Sequence, residues 1–249
     1  MAKKIKIGTL ISGGGTNLQA IIDSCADGRV DAQIMFTGSD VPGVKGLERA
    51  QKVGIDTFVV DYSQIIKRVK EDLSGSNVTN NMSPMILPED FNLEEIRAKQ
   101  HLINKDKGVE RIDFFLKSRA VAEQKLLDHI RPYKIDLLVL AGFMRTLTPY
   151  FIDRINTVPG KFKIMNIHPA LLPAFPGTDG YGDTFRYGCK VGGCTVHYID
   201  YGEDTGPIIG QRAFQIEDGD TLELVKQKGL ALEWQLYPEC IQKFAQGLV

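Results

Sequence analysis

No apolar run long enough to cross a bilayer as a helix occurs in this sequence of 249 residues. A spanning helix needs about 20 consecutive, mostly apolar residues, so we expect no membrane partner. The first ten residues, "MAKKIKIGTL", carry lysines but are not followed by a continuous apolar segment. We therefore expect no secretory signal peptide and a cytoplasmic protein.

An excess of charge of either sign is also missing. The 30 Lys and Arg residues nearly balance the 31 Asp and Glu residues, which leaves a formal net charge of -1. Proteins that bind nucleic acid rely on a basic surface to neutralise phosphates, so we expect no nucleic-acid partner. The composition instead favours small-molecule ligands.

Cysteine is scarce and scattered. The four cysteines, Cys25, Cys189, Cys194 and Cys240, form no C-x-x-C pair. This spacing supports neither a zinc site nor a disulfide framework, and it is typical of reduced thiols in the cytoplasm.

What is present is an alternation of short β-rich segments with helical patterns. The segments "KIKIGTLIS", "AQIMFTGS", "DTFVVD" and "IDLLVLAGF" read as strands, and amphipathic segments separate them. Such alternation predicts an α/β fold with a mostly parallel sheet. After residue 160, three further strands follow with fewer helices between them, and a long helix over about 220–246 contains Pro238. A proline there predicts a kink or a division of that helix.

One segment, residues 62–117, does not fit the alternation. It is too long for a connection within a compact domain, so it is an insertion or a functional segment. In its second half, Leu93, Ile96, Leu102 and Ile103 have roughly helical spacing. We expect the insertion to pack outside the catalytic centre, with its C-terminal end near the rim.

The glycine-rich turn "LISGGGTNLQA" joins the first strand to the first helix. Such a turn lets backbone N–H groups approach an anion at a helix N-terminus. The sequence has neither the lysine of a nucleoside triphosphate loop nor the third glycine of a dinucleotide fingerprint, since Leu18 stands there. Two interpretations remain: a single phosphate bound by the amides of Gly15, Thr16 and Asn17, or a structural turn capped by Thr16.

The stretch "KIMNIHP" places Asn166 and His168 on the same side of a strand. They stand at its carboxyl end, where open α/β sheets bind ligands. An amide beside an imidazole can stabilise a developing oxyanion and transfer a proton. The alternative is a loop histidine beside an asparagine that only satisfies backbone groups.

Carboxylates cluster in "VHYIDYGEDTGPII", where Asp200 and Asp204 flank a turn between two strands. Two interpretations remain for these aspartates. Both only form the turn, or one of them lies near His168 and orients its ring or raises its pKa. His197, inside the strand, reads as a hydrogen-bonded packing residue. No ligand spacing supports a metal site formed by these histidines and aspartates.

Four motifs, "SGGGTNLQAII", "LAGFMRTLTP", "MNIHPALLPAFPG" and "CTVHYIDYGEDTGPII", resemble in this order the 10-formyltetrahydrofolate-dependent formyltransferases. The first motif is similar to that of the members acting on glycinamide ribonucleotide. The resemblance implies a Rossmann-like, mostly parallel sheet with a mixed, folate-binding C-terminal part, as a single formyltransferase domain over residues 1–249. It also implies formyl transfer from 10-formyltetrahydrofolate, a cosubstrate, to the amine of 5′-phosphoribosylglycinamide in de novo purine biosynthesis, without a metal.

The resemblance also implies roles for individual residues. Those at its catalytic positions are Asn166, His168 and Asp204. Those at its ribonucleotide-binding positions are Gly15, Thr16, Asn17, Gly142 and Glu233. Those at its folate-binding positions are Arg119, Met144, Arg145, Thr146, Leu147 and Asp200. A cis peptide bond between Leu172 and Pro173 is implied as well.

Two departures from the family pattern stand out. Where histidines usually follow "FPG", this chain has "TDGYGD", and a usual glutamine on the last helix is Leu230. Two other functions therefore stay open: hydrolysis of 10-formyltetrahydrofolate, and a non-catalytic module that binds a nucleotide or folate. The sequence leaves open whether the protein is a homodimer.

Overall fold

The computed structural model describes residues 4–73, 86–103 and 105–249. The described strands and helices follow the order that the sequence predicts, strand alternating with helix. In chain order they are β1 (Ile5–Ile11), α1 (Thr16–Ala26), β2 (Ala32–Ser39), α2 (Lys45–Lys52), β3 (Asp56–Val59), α3 (Tyr62–Leu73), α4 (Leu93–Lys99), α5 (Val109–Ile130), β4 (Leu137–Leu140), α6 (Pro149–Ile155), β5 (Ile164–His168), α7 (Gly180–Tyr187), β6 (Val191–Tyr198), β7 (Ile208–Gln215) and α8 (Leu222–Ala245).

The seven strands form one mixed sheet in the order β3-β2-β1-β4-β5-β6-β7. Strands β1 to β5 pair in parallel, whereas β6 pairs antiparallel with both β5 and β7. This arrangement confirms the predicted parallel sheet with a mixed C-terminal part. The antiparallel register sets Asn166 of β5 directly opposite His197 of β6.

Both faces of the sheet are covered by helices. Along β4, Leu138 and Leu140 belong to the apolar cluster that includes α3, α5 and α6, whereas Leu137 and Val139 belong to the cluster with α1, α2 and α8. Strands that are buried on both faces need continuous apolar runs, which explains "LLVLA". None of the described helices is both long enough and apolar enough to cross a membrane.

Several helices differ from the sequence prediction. Helices α3, α6 and α7 were not predicted, and α5 spans Val109–Ile130, which includes the last residues of the insertion. Helix α8 runs through Pro238 without a division. Beside that proline, the Tyr237 hydroxyl lies 3.1 Å from the carbonyl oxygen of Leu140 and 2.8 Å from that of Met165, so α8 is anchored to the adjoining strands β4 and β5.

The described residues of the 62–117 insertion pack on the helical face, against α6 and the rest of α5. Ile96 of α4 joins the apolar core there, and Arg97 forms a salt bridge with Asp113 of α5 at 2.6 Å. The predicted helical spacing does not extend to Leu102 and Ile103, because α4 ends at Lys99. The buried side chain of Gln100 accepts the backbone N–H groups of Leu102 and Ile103 and so turns the chain.

A buried glutamate anchors the loop that follows β4. Glu123 of α5 accepts hydrogen bonds from the Thr148 N–H at 2.8 Å and from the Thr148 hydroxyl at 2.5 Å. Burial is the largest influence on this carboxyl and raises its pKa from 4.5 to about 7. The contact fixes the end of residues 144–148, which is the loop that the resemblance assigns to folate.

We expect this carboxyl to make stability depend on pH. Between pH 4.5 and about 7 the folded protein keeps a proton that the unfolded chain releases. The free energy of unfolding should therefore fall as pH rises through this window, by on the order of 3 kcal/mol. In Glu123→Gln the amide oxygen can still accept the Thr148 N–H and the amide nitrogen can donate to the Thr148 hydroxyl oxygen, so the shape is kept, but this fall should be absent. Urea unfolding at pH 5 and pH 8 measures it.

Glu110→Gln is the matched control, because Glu110 lies exposed on the same helix. It should retain the pH dependence of the unsubstituted chain. An equal loss of stability between pH 5 and pH 8 in Glu123→Gln and in the unsubstituted protein would contradict the assignment.

Candidate functional site

A cavity of about 400 Å³ opens at the carboxyl ends of β4 and β5. Its wall is formed by the loop after β4, the end of β5, the start of α7, the β6–β7 loop and one face of α8. The edge formed by strand carboxyl ends is where open α/β sheets bind ligands. Asn166, His168 and Asp204 all line this cavity, so the structure brings together the three residues that the sequence singles out.

His168 is buried and is held from both sides. Its Nε2 donates to the carbonyl oxygen of Phe175 at 2.8 Å, and its Nδ1 lies 3.2 Å from Oδ2 of Asp204. Both neighbours are hydrogen-bond acceptors, so only a doubly protonated ring offers an N–H to each. The arrangement therefore suits an imidazolium facing the cavity.

Asp204 is more than a turn former. Its side chain is 12% exposed, and Oδ2 also accepts the N–H of Gly177 at 2.9 Å. The backbone at Asp204 has φ 55°, a left-handed conformation that is uncommon for residues other than glycine. This turn aims the carboxylate back toward β5. Asp200, by contrast, does not line the cavity; it accepts the Gly202 N–H and the Thr205 hydroxyl within the same loop.

His197 has a second contact that sequence reasoning missed. As predicted, it is a buried packing residue with a hydrogen bond, since its Nδ1 donates to the carbonyl oxygen of Tyr198 at 2.9 Å. Burial lowers its pKa, which favours the neutral ring, and with Nδ1 as the donor Nε2 carries a lone pair that can accept. The Nδ2 atom of Asn166 lies 3.4 Å from that Nε2. One amide hydrogen of Asn166 is thus directed at His197, and the other is left for the cavity.

The glycine turn begins α1 without a side-chain cap, so Thr16 is not the cap. Gly15 is the N-cap residue with φ 68°, and a Cβ at this position would lie 2.7 Å from Cα of Gly46. Glycine is therefore required here for the close approach of α2 as well as for the turn. The uncapped N-terminus leaves backbone N–H groups for an anion.

Thr16 and Arg49 line a second cavity, of about 390 Å³, at this turn. Arg49 donates to the carbonyl oxygen of Gly14 at 2.9 Å, which places a positive charge beside the turn. Asn17, one residue further along, sends its side chain into the first cavity. The two cavities thus lie on either side of the start of α1.

On the floor of the first cavity, Asn17 meets Glu233 of α8. The Asn17 amide donates to Oε2 of Glu233 at 2.7 Å, and the Tyr181 hydroxyl donates to Oε1 at 2.7 Å. Burial raises the pKa of Glu233, and these two hydrogen bonds counteract that rise. Tyr181 belongs to the unusual "TDGYGD" stretch and was not predicted as a site residue.

The loop after β4 supplies one side of the cavity with Gly142 and the four residues Met144, Arg145, Thr146 and Leu147. Its backbone is fixed because the Met144 N–H donates to the Ser12 hydroxyl at 2.7 Å. Arg145 forms a salt bridge with the buried Asp40 at 2.5 Å. Apolar side chains such as Phe143 and Leu147 beside these polar groups suit a flat heteroaromatic ligand.

Arg119 lies away from the cavity wall. Its guanidinium carbon is 5.3 Å from the ring centre of Tyr62 and 5.2 Å from that of Phe115. Burial lowers its pKa. The resemblance implies a folate-binding role for Arg119, but Arg119 is not among the residues that line the cavity, and helix α5 turns its side chain toward Tyr62 of α3.

The insertion contacts the loop that carries Asp204. The His101 N–H donates to the carbonyl oxygen of Tyr201 at 2.9 Å. Lys99 lies 2.8 Å from Asp153 of α6, which also accepts the hydroxyl of Tyr201. Thus the described residues of this segment do not line the cavity, yet they support one wall of it.

These groups can perform a transfer of an acyl-type carbonyl. An amide donor, an imidazole and a carboxylate line the same cavity, which is suited to stabilising an oxyanion and moving a proton. Among the residues that the structure describes, no group of three or more His, Cys, Asp or Glu side chains is arranged to hold a metal ion. The Leu172–Pro173 bond that follows β5 is cis.

Comparison with known proteins gives a consistent result. Residues 5–241 match the family described as Formyl transferase. The phosphoribosylglycinamide formyltransferase of Bacillus subtilis (strain 168) is 31% identical over 238 residues, which cover 96% of this chain and 93% of the relative. The trifunctional purine biosynthetic protein adenosine-3 of Gallus gallus is 31% identical over 246 residues, but this chain covers only 19% of it.

Solved structures agree. Glycinamide ribonucleotide transformylase 1 from Symbiobacterium toebii superimposes with a TM-score of 0.70 at 33% identity, covering 99% of this chain and 90% of that chain. Phosphoribosylglycinamide formyltransferase from Bacillus halodurans has a TM-score of 0.70 at 30% identity, covering 96% and 94%.

The insertion supports the Asp204 loop through the His101 N–H group, and removing this group tests that support. Gln100 already has φ -75° and ψ 139°, a conformation that a following proline favours. We expect His101→Pro to speed amide hydrogen exchange in residues 199–206, measured by mass spectrometry. His101→Ala keeps the N–H and should exchange like the unsubstituted protein. Equal exchange in both variants would show that the hydrogen bond to Tyr201 does not hold the loop.

Proposed function

This chain belongs to the formyl transferase family, and from that membership we propose that it is a phosphoribosylglycinamide formyltransferase. It would transfer the formyl group of 10-formyltetrahydrofolate to the primary amine of 5′-phosphoribosylglycinamide, a step of de novo purine biosynthesis. The observation that carries the proposal is the convergence of Asn166, His168 and Asp204 on one cavity. The names of the relatives in Bacillus subtilis and Symbiobacterium toebii support the choice of substrates.

The formyl donor is assigned to the side of the cavity formed by the loop after β4 and the β6–β7 loop. Met144, Arg145, Thr146 and Leu147 line that side. Backbone N–H and C=O groups flanked by apolar side chains suit the flat, polar-edged pterin of a folate. Asp200 would act by shaping the 200–205 turn, and Arg119 by holding Tyr62 beneath Arg145.

The ribonucleotide is assigned to the opposite side. The uncapped start of α1, at Gly15, Thr16 and Asn17, would bind its phosphate through backbone N–H groups. Glu233 and Gly142 line the cavity between this turn and the catalytic residues, in reach of the ribose and the glycinamide. The amine would then face the formyl carbon.

Asn166 has the role of oxyanion donor. When the amine attacks the formyl carbon, the formyl oxygen gains negative charge, and one Nδ2–H of Asn166 can bind it. His197 holds the other N–H, at 3.4 Å, and so keeps the amide oriented before the reaction. Donors of this kind contribute about 3–4 kcal/mol to lowering the barrier.

His168 and Asp204 transfer the proton from the amine of the ribonucleotide to N10 of the folate. The new C–N bond to the ribonucleotide forms, the bond from the formyl carbon to N10 of the folate breaks, and one proton passes from the amine to N10. Asp204 can accept the amine proton, directly or through water, and His168 can deliver one to N10. Delivery requires a ring nitrogen to exchange its present acceptor, Phe175 or Asp204, for the folate.

The steps as proposed use only side chains and backbone groups of this chain together with the two substrates. They involve neither a metal ion nor ATP. We place the reaction in the cytoplasm, where the balanced charge and the thiol-only cysteines suggest that the protein resides.

An assay with both substrates tests this function. Consumption of 10-formyltetrahydrofolate, followed by absorbance, should require phosphoribosylglycinamide. His168→Ala should lower kcat on the order of 10²–10⁴-fold, since general acid–base catalysis contributes that much. His129→Ala is the matched control, because this exposed histidine stacks on Phe58 far along α5. Thermal melting checks that both variants fold.

Other outcomes identify other functions. Deformylation that proceeds equally without the ribonucleotide would indicate a 10-formyltetrahydrofolate hydrolase. Binding of both substrates without turnover would indicate a non-catalytic module. Normal turnover by a folded His168→Ala variant would remove His168 from the mechanism.

A further inference from the structure

Tyr181 is a buried aromatic residue in the part of the chain that departs from the family pattern. It stands in the first turn of α7 and is 5% exposed. Its ring packs with Ile216 and Val225 in a small apolar cluster and lies 6.3 Å from the ring of Phe214. Packing therefore fixes the ring independently of its hydroxyl group.

The ring of Tyr181 lies across the surface of α8 at Gly229, and this brings its hydroxyl group to Glu233. A Cβ on Gly229 would lie 2.1 Å from Cζ of Tyr181, so only glycine leaves room for the ring. Residues four apart lie on the same face of a helix, so Glu233 follows Gly229 one turn later. The hydroxyl donates there to Oε1 at 2.7 Å.

The Glu233 carboxylate is thus bound on both oxygens. Asn17 donates to Oε2 from the start of α1, and Tyr181 donates to Oε1 from α7. Each carboxylate oxygen can accept more than one hydrogen bond, so both keep a lone pair for a ligand. Glu233 is 4% exposed and lines the cavity, so donors of a ligand in the cavity can reach it.

We propose that Tyr181 is a positioning residue for the ribonucleotide: its hydrogen bond to Glu233, made possible by Gly229, aims the carboxylate at hydroxyl or amine donors of the substrate. The proposal rests on the proposed function, because that function places the ribonucleotide on the Glu233 side. Tyr181 itself acts through Glu233. The family's usual histidines are absent from this stretch, and the tyrosine supplies a donor to Glu233 from within it.

Tyr181→Phe tests the proposal, because it removes one oxygen atom and leaves the ring packing intact. We expect the KM for phosphoribosylglycinamide to rise about tenfold, the loss of one such hydrogen bond. The KM for 10-formyltetrahydrofolate and kcat at saturation should change less than twofold. Tyr187→Phe is the matched control, since that tyrosine lies on the same helix but is 80% exposed.

A double-mutant cycle with Glu233→Gln separates positioning from a general structural role. If Tyr181 acts through Glu233, Tyr181→Phe should raise the KM much less when residue 233 is Gln than when it is Glu. The same rise in both backgrounds, or an unchanged KM in Tyr181→Phe alone, overturns the proposal. Ribonucleotide-dependent turnover by the unsubstituted protein is measured first, so failure of the proposed function itself would be recognised separately.

Discussion

The Asp204 carboxylate connects three chain segments that meet at the cavity. One of its oxygens accepts the Gly177 N–H and lies 3.2 Å from His168, and the other lies 3.6 Å from His197. A largely buried charge must be matched by donors, and losing them is costly. The loop after Pro176 and the end of β5 are therefore tied to the β6–β7 turn by the contacts of a single side chain. The left-handed backbone of Asp204 is held in place by the same contacts.

The sheet topology makes this meeting possible. Parallel strands β4 and β5 end at the same edge, and the antiparallel β6 returns so that His197 pairs with Asn166. Because β6 runs antiparallel to β5, its last residue Tyr198 lies opposite Met165, and the β6–β7 turn folds back to bring Asp204 to His168. Two outer supports complete the wall: Glu123 fixes the loop after β4, and the insertion binds Tyr201.

Local patterns predicted most of the fold and, together with the family resemblance, singled out Asn166, His168 and Asp204, which line one cavity. Apolar runs and turn residues located the seven strands, and the two-residue period placed Asn166 and His168 on one side. Contacts between segments that are distant in the sequence could not be predicted from local patterns. The second contact of His197 depends on the register of β5 with β6, which no local pattern encodes. The hydrogen bond of Tyr181 depends on α7, a helix too short and too rich in glycine to be predicted from periodicity. Arg119 stands at a position that the resemblance assigns to folate binding, but the direction of its side chain depends on how α5 packs against α3.

The contact between Tyr181 and Gly229 also constrains how such a site can arise. With any other residue at 229, a tyrosine ring at 181 would meet a Cβ at 2.1 Å, while a glycine at 229 beside a smaller residue costs only helix stability. The change to glycine is therefore accessible first, and the change to tyrosine second. Once both are present, reversion at 229 is blocked as long as the tyrosine remains. Residues 181 and 229 are therefore sterically coupled, and a side chain at 229 becomes possible only after the ring at 181 is replaced.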